Sequence, residues 1–534
     1  MQLAIKIIVS GVVLTLSSVI FALVAYGPLI RYAIRDQTSL RKKNQIRDIY
    51  LKIPFPLDFR IYFFNISNPM EVQNGAKPVL KEIGPYCYDE YEEKVDIIDN
   101  EMEDSLTYNS YDIFEFNAEK SRGLSEDDYV TILHPLLVGM AFQVNRDTPA
   151  LLSFLNQAIV PIFKDPKSIY LTDTVKNILF DGFEINCNVS EFAAKAVCTQ
   201  LMNSNIPGLK NDPSRDNMLV FSLIGVRNAT LGHTMKVSRG IRHSESVGKV
   251  LEVDGKKEIN KWVSKACNRY RGTDGWIIPP LLTPEEGVWT HSVDLCRNVK
   301  AKYIRDTLVK GVNVRLYEAD LGNMQKNEED KCYCPTPTTC SRKGVFDLSK
   351  CMGAPIVASL PHFLEADEIY RKQVEGMQPI HEKHIIRIYL EVITSAPLIG
   401  KKRMQMNFPI APISKITLMS KLPVALHPIF WLEEGVELEG DFLKIITNKL
   451  MLLEVANVSR WLAVFGGLTA TGIGIYLYIK NKKSITISSI DSMSNDSEIT
   501  RSTNELMDQM KTLERTEKGQ INPVLSGHEF DRYM

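Results

Sequence analysis

Two uninterrupted apolar runs frame the chain, Ile7 to Ile30 and Trp461 to Ile479, and neither contains a charged residue. At a rise of 1.5 Å per residue, about 19 helical residues reach roughly 28 Å, close to the ~30 Å hydrocarbon thickness of a bilayer. Each run therefore predicts a membrane-crossing helix. The first is too long for the ~7–15-residue apolar region of a signal peptide and continues into Tyr26-Gly27-Pro28-Leu29-Ile30, so it reads as an uncleaved anchor. The second carries Gly466, Gly467, Gly472 and Gly474, a spacing that lets another helix approach closely, although glycine is also simply tolerated in lipid.

Between the runs the period changes twice. Phe59 to Ile66 is aromatic and β-branched and ends at the turn pair Asn68-Pro69, which predicts a strand. Val250 to Val253, Asp254-Gly255 and Lys256 to Ile259 have the pattern of a tight hairpin. His384 to Ile393 and Ile413 to Met419 read as further strands. From about Ser125 to Leu201 the apolar spacing is helical, with Ser125-Glu126-Asp127-Asp128 as a helix start. A helical insert in a strand-rich domain is the expectation. After the second run, Ser484 to Met534 is rich in Ser, Thr, Asn and charge and reads as disordered.

A formal net charge of −1 with 24% charged residues leaves no basic field for a phosphate backbone, which argues against nucleic acid as a partner. The ~430 residues between the runs exceed the ~250–300 that one core serves, so several subregions are expected. The flanking charges conflict over topology. Lys480, Lys482 and Lys483 place the C-terminus in the cytosol, whereas Arg31, Arg35, Arg41, Lys42, Lys43 and Arg47 follow the first run. Long loops translocate largely regardless of charge, and the chemistry of this one is extracellular. Asn65-Ile66-Ser67, Asn188-Val189-Ser190 and Asn228-Ala229-Thr230 are glycosylation triplets; Asn457 and Asn495 also match, but one abuts the membrane and the other falls in the cytosolic tail. All nine cysteines lie between the runs, six of them from Cys267 to Cys351, as disulfides in an oxidising compartment would.

The resulting layout is a short cytosolic N-terminus (1–6), a span (7–30), an extracellular domain (31–460), a second span (461–479) and a cytosolic tail (480–534). Zinc fits the cysteines poorly, because Cys332-Tyr333-Cys334 lacks the usual Cys-x(2–4)-Cys spacing and no histidine is interleaved. Cys332 and Cys334 are too close to bridge each other and need separate partners. Cys187 and Cys198 can bridge, and Cys87 is then left over. Catalytic motifs are missing: His381-Glu382-Lys383-His384 has its histidines three apart rather than four, and no Gly-x-Ser-x-Gly or phosphate loop is present. An enzyme, a metal and a cofactor are not expected.

The stretch from Asn68-Pro69-Met70 through Gly75-Ala76-Lys77-Pro78 to Glu82-Ile83-Gly84-Pro85-Tyr86 resembles the class B scavenger receptor family. So do Asp254-Gly255-Lys256, Gly272-Thr273-Asp274-Gly275 with Pro279-Pro280, Leu295-Cys296-Arg297, Ser359 to Leu364 and Phe430 to Gly435, in order along nearly the whole chain. Ile178 to Phe183, Ile185-Asn186-Cys187 and Ala196 to Thr199 look most like the insect sensory neuron membrane proteins within that family. Cys87 departs from the family pattern.

The resemblance implies an α+β fold: a large antiparallel β-barrel-like ectodomain with a membrane-distal helical bundle (about 125–201), a disulfide-rich segment (267–351) and an internal apolar tunnel. It implies disulfides Cys267–Cys332, Cys296–Cys351 and Cys334–Cys340. By position it places ligand capture at the helical tip, with Lys164 or Lys167 at the pocket mouth and Phe154, Leu155, Ile159 and Phe163 beside it. A lysine stem on apolar surface orients a lipid head while its chain enters the cavity; the plain alternative is that these apolar residues are the buried face of a helix. The function implied is a cell-membrane co-receptor for lipid-derived odorants or pheromones that passes them toward the bilayer or an odorant receptor. A scavenger or adhesion receptor for lipids, lipoproteins or dying cells is the other family role.

Overall fold

The computed structural model describes residues 1–494 except 205, 335, 337 and 338, together with 504–512. It divides into two compact units, one formed by the terminal segments Met1–Ile30 and Asn448–Met534, the other by Arg31–Thr447.

In the terminal unit both apolar runs are helical and long enough to cross a membrane. The first helix runs from Gln2 to Thr38 with a π-helical turn at Phe21–Ala25, and the second from Gly440 to Ser494. The two pack at small residues. A Cβ added to Gly467 would meet Thr15 Oγ1 at 2.5 Å, and one added to Gly474 would meet Ile8 at 2.7 Å, whereas Gly466 and Gly472 face open space. Close approach thus accounts for two of the four glycines, and tolerance in lipid for the others. Ser484–Ser494 continues the second helix rather than starting a disordered tail, since no glycine or proline interrupts it. Residues 504–512 are also helical. The rest of that tail, Asn495 included, lies outside the described residues.

The Arg31–Thr447 unit is built on a 13-stranded antiparallel sheet. Eleven of the strands run in the order Val250–Val253, Leu231–Ser238, Ser105–Phe116, Leu80–Asn100, Leu57–Ile66, Ala425–Glu437, Pro397–Ile410, Ile386–Glu391, Val312–Ala319, Arg297–Val309, Val288–Ser292, and the other two branch off it, Val345–Asp347 pairing with Val357–Ser359, which pairs with Pro397–Ile410. The expected strand at Phe59–Ile66 is present, with Phe59, Ile61 and Phe63 alternating into the core. Gly272–Asp274 spans the gap between the two edge strands. Thr273 bridges Lys249 on one side and Thr290 on the other. Val250 N–H donates to Gly272 O at 3.1 Å, and Thr273 N–H to Trp289 O at 3.0 Å. Gly272 sits at φ +87°, and a Cβ there would lie 2.1 Å from Trp289 O, so this approach requires glycine.

Three local expectations change. Ser125–Asp128 forms a turn, with Ser125 N–H donating to the Asp128 carboxylate at 3.0 Å, and the chain continues as the strand Tyr129–Leu133. Its β-branched residues and the extended geometry imposed before Pro135 defer the helix to Pro135–Asp147, capped by His134. The insert therefore holds the helices Pro135–Asp147, Leu152–Ile162 and Phe192–Met202 alongside two small sheets. Ile413–Met419 is a loop ending in a 3-10 turn, because Ile413, Ile416 and Met419 recur every third residue and all three are buried. At Asp254-Gly255 the tight turn forms, with Lys256 N–H donating to Val253 O at 2.9 Å, but the residues after it make only isolated bridges.

Disulfides join Cys267 to Cys332, Cys296 to Cys351, Cys334 to Cys340 and Cys187 to Cys198, and Cys87 is free and buried. Three of the six basic residues that follow the first apolar run have acidic partners. Arg47 is buried and bidentate to Asp99 at 2.9 Å, Lys42 approaches the same carboxylate at 3.7 Å, and Arg41 pairs with Asp36 at 3.0 Å. These three charges are structural partners inside the folded unit.

Candidate functional site

The insert separates the residues assigned to the pocket mouth into two environments. Leu155 and Ile159 are core residues, 4% and 3% exposed, on the buried face of Leu152–Ile162. Phe163 is half-buried, edge-on to His134 at 4.7 Å. Phe154 is half-buried and packs edge-on against Phe192, itself 81% exposed. Lys164 and Asp165 end the helix with φ of +56° and +55°. Lys164 is exposed and bound to Glu184 at 2.6 Å, a carboxylate shared with Arg215 at 2.5 Å; Lys167 is exposed and pairs with Asp165. Of the three glycosylation candidates, Asn188 is exposed, whereas the Asn65 and Asn228 carbonyls accept the Thr131 and Phe114 N–H groups at 2.7 and 3.1 Å.

A second cluster lies inside the barrel. Register places Phe59 opposite Tyr88 and Glu434, and Glu434 opposite Lys402, so the side chains share one sheet face. Phe59 packs on Phe114 at 4.9 Å, and Phe114 and Tyr88 pack on Phe180. On the same strand as Tyr88, Glu90, Glu92 and Lys94 follow at the two-residue period of that face. Arg227 reaches in from a loop to Asp112 at 3.1 Å and Glu90 at 3.6 Å, and Lys402 holds Glu434 at 3.1 Å. Asp294, on the turn between the last two strands of the sheet order, faces Arg227 and Lys402.

Accessibility within this cluster is uneven. Lys402 keeps 46% and Arg227 38% of its side-chain surface accessible, and Asp294 is exposed. The aromatic side chains beside them are closed off, Phe59 at 0%, Tyr88 at 1% and Phe114 at 7% exposure.

The electrostatics follow from enclosure. Burial, reinforced by Glu434, raises the Glu90 carboxyl well above its usual range. Burial likewise lifts Glu92 to about 7 despite Lys94 at 2.9 Å. The Lys94 ammonium lies 4.5, 5.3 and 5.1 Å from the ring centres of Tyr50, Tyr108 and Trp276. Burial also acts to raise Asp294, but Arg227 and Lys402 outweigh it and hold that carboxyl below its ordinary value. Only part of this cluster carries a sequence signal: Glu90, Glu92 and Lys94 alternate with Tyr91 and Glu93 along a strand. Arg227, Asp294 and Lys402 are far apart in the chain, with no spacing to connect them.

The order of strands, the disulfide-linked segment and the two terminal helices can be set beside known proteins. The model of the CD36 family matches residues 8–478. The chain belongs to the CD36 family. Sensory neuron membrane protein 1 of Apis mellifera is 38% identical over 476 residues, covering 89% of this chain and 91% of that protein. Proteins of the same name from Ostrinia nubilalis and Manduca sexta are 40% and 38% identical, over 84% and 89% of this chain and 85% and 91% of their own lengths. This CD36 family member is thus a class B scavenger-receptor-like membrane protein, with apolar helices at both ends of a disulfide-bonded domain.

Proposed function

We propose that the protein is an olfactory membrane co-receptor. It captures lipid-derived odorants or pheromones at the helical insert and passes them through the barrel interior toward the membrane or an odorant receptor. The observation that carries this reading is the nearly closed 13-stranded sheet, with Arg227 and Lys402 partly accessible on the same side as Phe59 and Tyr88. The names of the relatives supply the sensory context. Disulfides and the exposed Asn188 triplet support an extracellular Arg31–Thr447 domain with both termini cytosolic.

Apolar burial supplies the affinity. At about 0.8 kcal/mol per methylene, a twelve-carbon chain gains roughly 9 kcal/mol on leaving water, before the loss of its own freedom is subtracted. The test is titration of the full-length protein in lipid nanodiscs with a fluorescent dodecanol. Leu432, half-buried and two residues before Glu434 on the same strand face, is replaced by Trp to fill the lumen. Binding is expected to weaken at least tenfold. Undiminished binding in a folded Leu432→Trp protein would sink the tunnel mechanism.

A scavenger role has one observation in its favour. Phe192, Leu151 and Val160 are exposed on the insert by 81%, 53% and 51%, a surface suited to lipoproteins or dying-cell membranes. Sedimentation with phosphatidylserine vesicles, lost in Phe192→Ser, is the result expected under that reading.

A further inference from the structure

Two buried histidines hold one largely exposed segment through their ring lone pairs. His362 and His384 are 5% and 4% exposed, and their rings stack with centres 4.5 Å apart. Gln378 N–H donates to His362 Nδ1 at 3.1 Å, and Ile380 N–H donates to His384 Nδ1 at 3.0 Å. Because each Nδ1 accepts, each neutral ring carries its hydrogen on Nε2. On His362 that hydrogen is directed to the Glu82 carboxylate at 2.5 Å, which also accepts Trp431 Nε1–H at 2.7 Å. The rings are fixed: His362 N–H donates to Gln405 Oε1 at 2.7 Å, Phe64 packs edge-on to His362, and His384 packs edge-on to Trp431.

The segment has anchored ends. Glu375 N–H donates to Pro78 O at 2.8 Å, and Glu375 O accepts Leu80 N–H at 3.1 Å. Gly376 follows at φ +96°, where a Cβ would lie 1.9 Å from Leu80 O, so the bend there requires glycine. At the far end the strand Ile386–Glu391 enters the main sheet. Between these anchors Gln378, Ile380, His381, Glu382 and Lys383 are exposed.

We propose that residues 376–383 form an acid-released strap, closed while His362 and His384 are neutral and freed when their Nδ1 atoms take up protons. A proton on Nδ1 turns an acceptor into a donor facing a donor, so the Gln378 and Ile380 N–H groups must leave for water. The surrounding charges favour the same outcome. Glu82 faces both rings and stabilises an imidazolium at His362 once the Gln378 N–H has gone. Arg403, held by Glu433 at 2.7 Å and donating to Ile385 O, and Lys383 face His384 and oppose its charge in the closed form. Burial, with the His362 ring, lowers His384 to about 4 when closed, against about 6.5 when open. The closed strap is therefore fully favoured above about pH 6.5 and loses that preference as pH falls toward 4. Between pH 7 and pH 5, His384 alone raises the open fraction about 20-fold.

Amide hydrogen exchange of the full-length protein in nanodiscs, at pH 7 and pH 5 and corrected for the intrinsic exchange rate, reads the open fraction by peptide. Peptides within 376–383 are expected to open at least fivefold more at pH 5, while the Phe59–Ile66 strand stays within twofold. In His362→Asn/His384→Asn a carboxamide oxygen can accept at each position without titrating, and the strap is expected to stay within twofold between the two pH values. A rise below fivefold in the unaltered protein, or a fivefold rise that persists in the folded variant, overturns the strap. If the variant does not fold, the unaltered protein decides: a rise confined to 376–383 supports the strap, and one shared by Phe59–Ile66 overturns it.

Discussion

Asp274 is where barrel closure is most open to attack. Its carboxylate accepts the Tyr50 and Tyr108 hydroxyls, the latter at 2.7 Å, and the Trp276 N–H at 3.1 Å. Its own N–H donates to Gly248 O at 3.1 Å. The tyrosines belong to the Gln45–Leu51 helix and the Ser105–Phe116 strand, so one side chain ties the closing segment to two distant elements. Both are buried, and burial together with Asp274 pushes both phenols well above their usual range. Asp274→Ala strands two buried hydroxyls at about 1–3 kcal/mol each, or roughly 3–5 kcal/mol for the site, since such losses are not additive. With an unfolding entropy of about 2.1 cal/mol/K per residue over ~400 residues, the melting temperature should fall by about 4–6 °C. Thermal unfolding of the full-length protein in detergent measures this. A double-mutant cycle with Tyr108→Phe should return a coupling of about 1–3 kcal/mol. A shift under 1 °C with no coupling would refute the view that Gly272–Asp274 closes the barrel.

Three further outcomes are expected. Glu92 holds its proton more tightly folded, at about 7 against 4.5 unfolded, so its stabilisation is complete below about pH 4.5 and lost as pH rises through about 7. The loss is about 3 kcal/mol, and Glu92→Gln should flatten the difference between melting temperatures at pH 5 and pH 8. Arg47→Ala should destabilise by about 3 kcal/mol, because Asp99 loses its bidentate partner and keeps Arg239 at 3.2 Å and the exposed Lys42 at 3.7 Å, and Arg47→Lys should recover part of it; a silent Arg47→Ala would contradict the structural role given to that charge. Asn188→Gln should raise gel mobility by one glycan, while Asn65→Gln, whose carboxamide is held within a strand, should not.

The two apolar runs and the Phe59–Ile66 strand were legible because their period alone defines them. The Ser125–Leu133 stretch misleads, since its apolar spacing is helical while Pro135 and the β-branched Val130, Thr131 and Ile132 favour extended chain. Gly272-Thr273-Asp274-Gly275 reads as an ordinary turn; that it joins two sheet edges depends on strands more than 20 residues away on one side and 15 on the other. Leu155 and Ile159 show the limit of transferring a site by position, for the same spacing that suggests a binding face also builds a core. The pairing of Arg227 with Asp112 and of Lys402 with Glu434 was invisible because those residues meet only through tertiary folding.

The most direct test of lipid passage through the barrel is photo-crosslinking of full-length protein in nanodiscs with a diazirine-bearing dodecyl ester, mapped by tandem mass spectrometry. Adducts on inner-face residues such as Phe59, Tyr88, Leu432 or Lys402, competed away by excess methyl dodecanoate, are the expected result. Adducts confined to the surface of the insert, or insensitive to competitor, would contradict it.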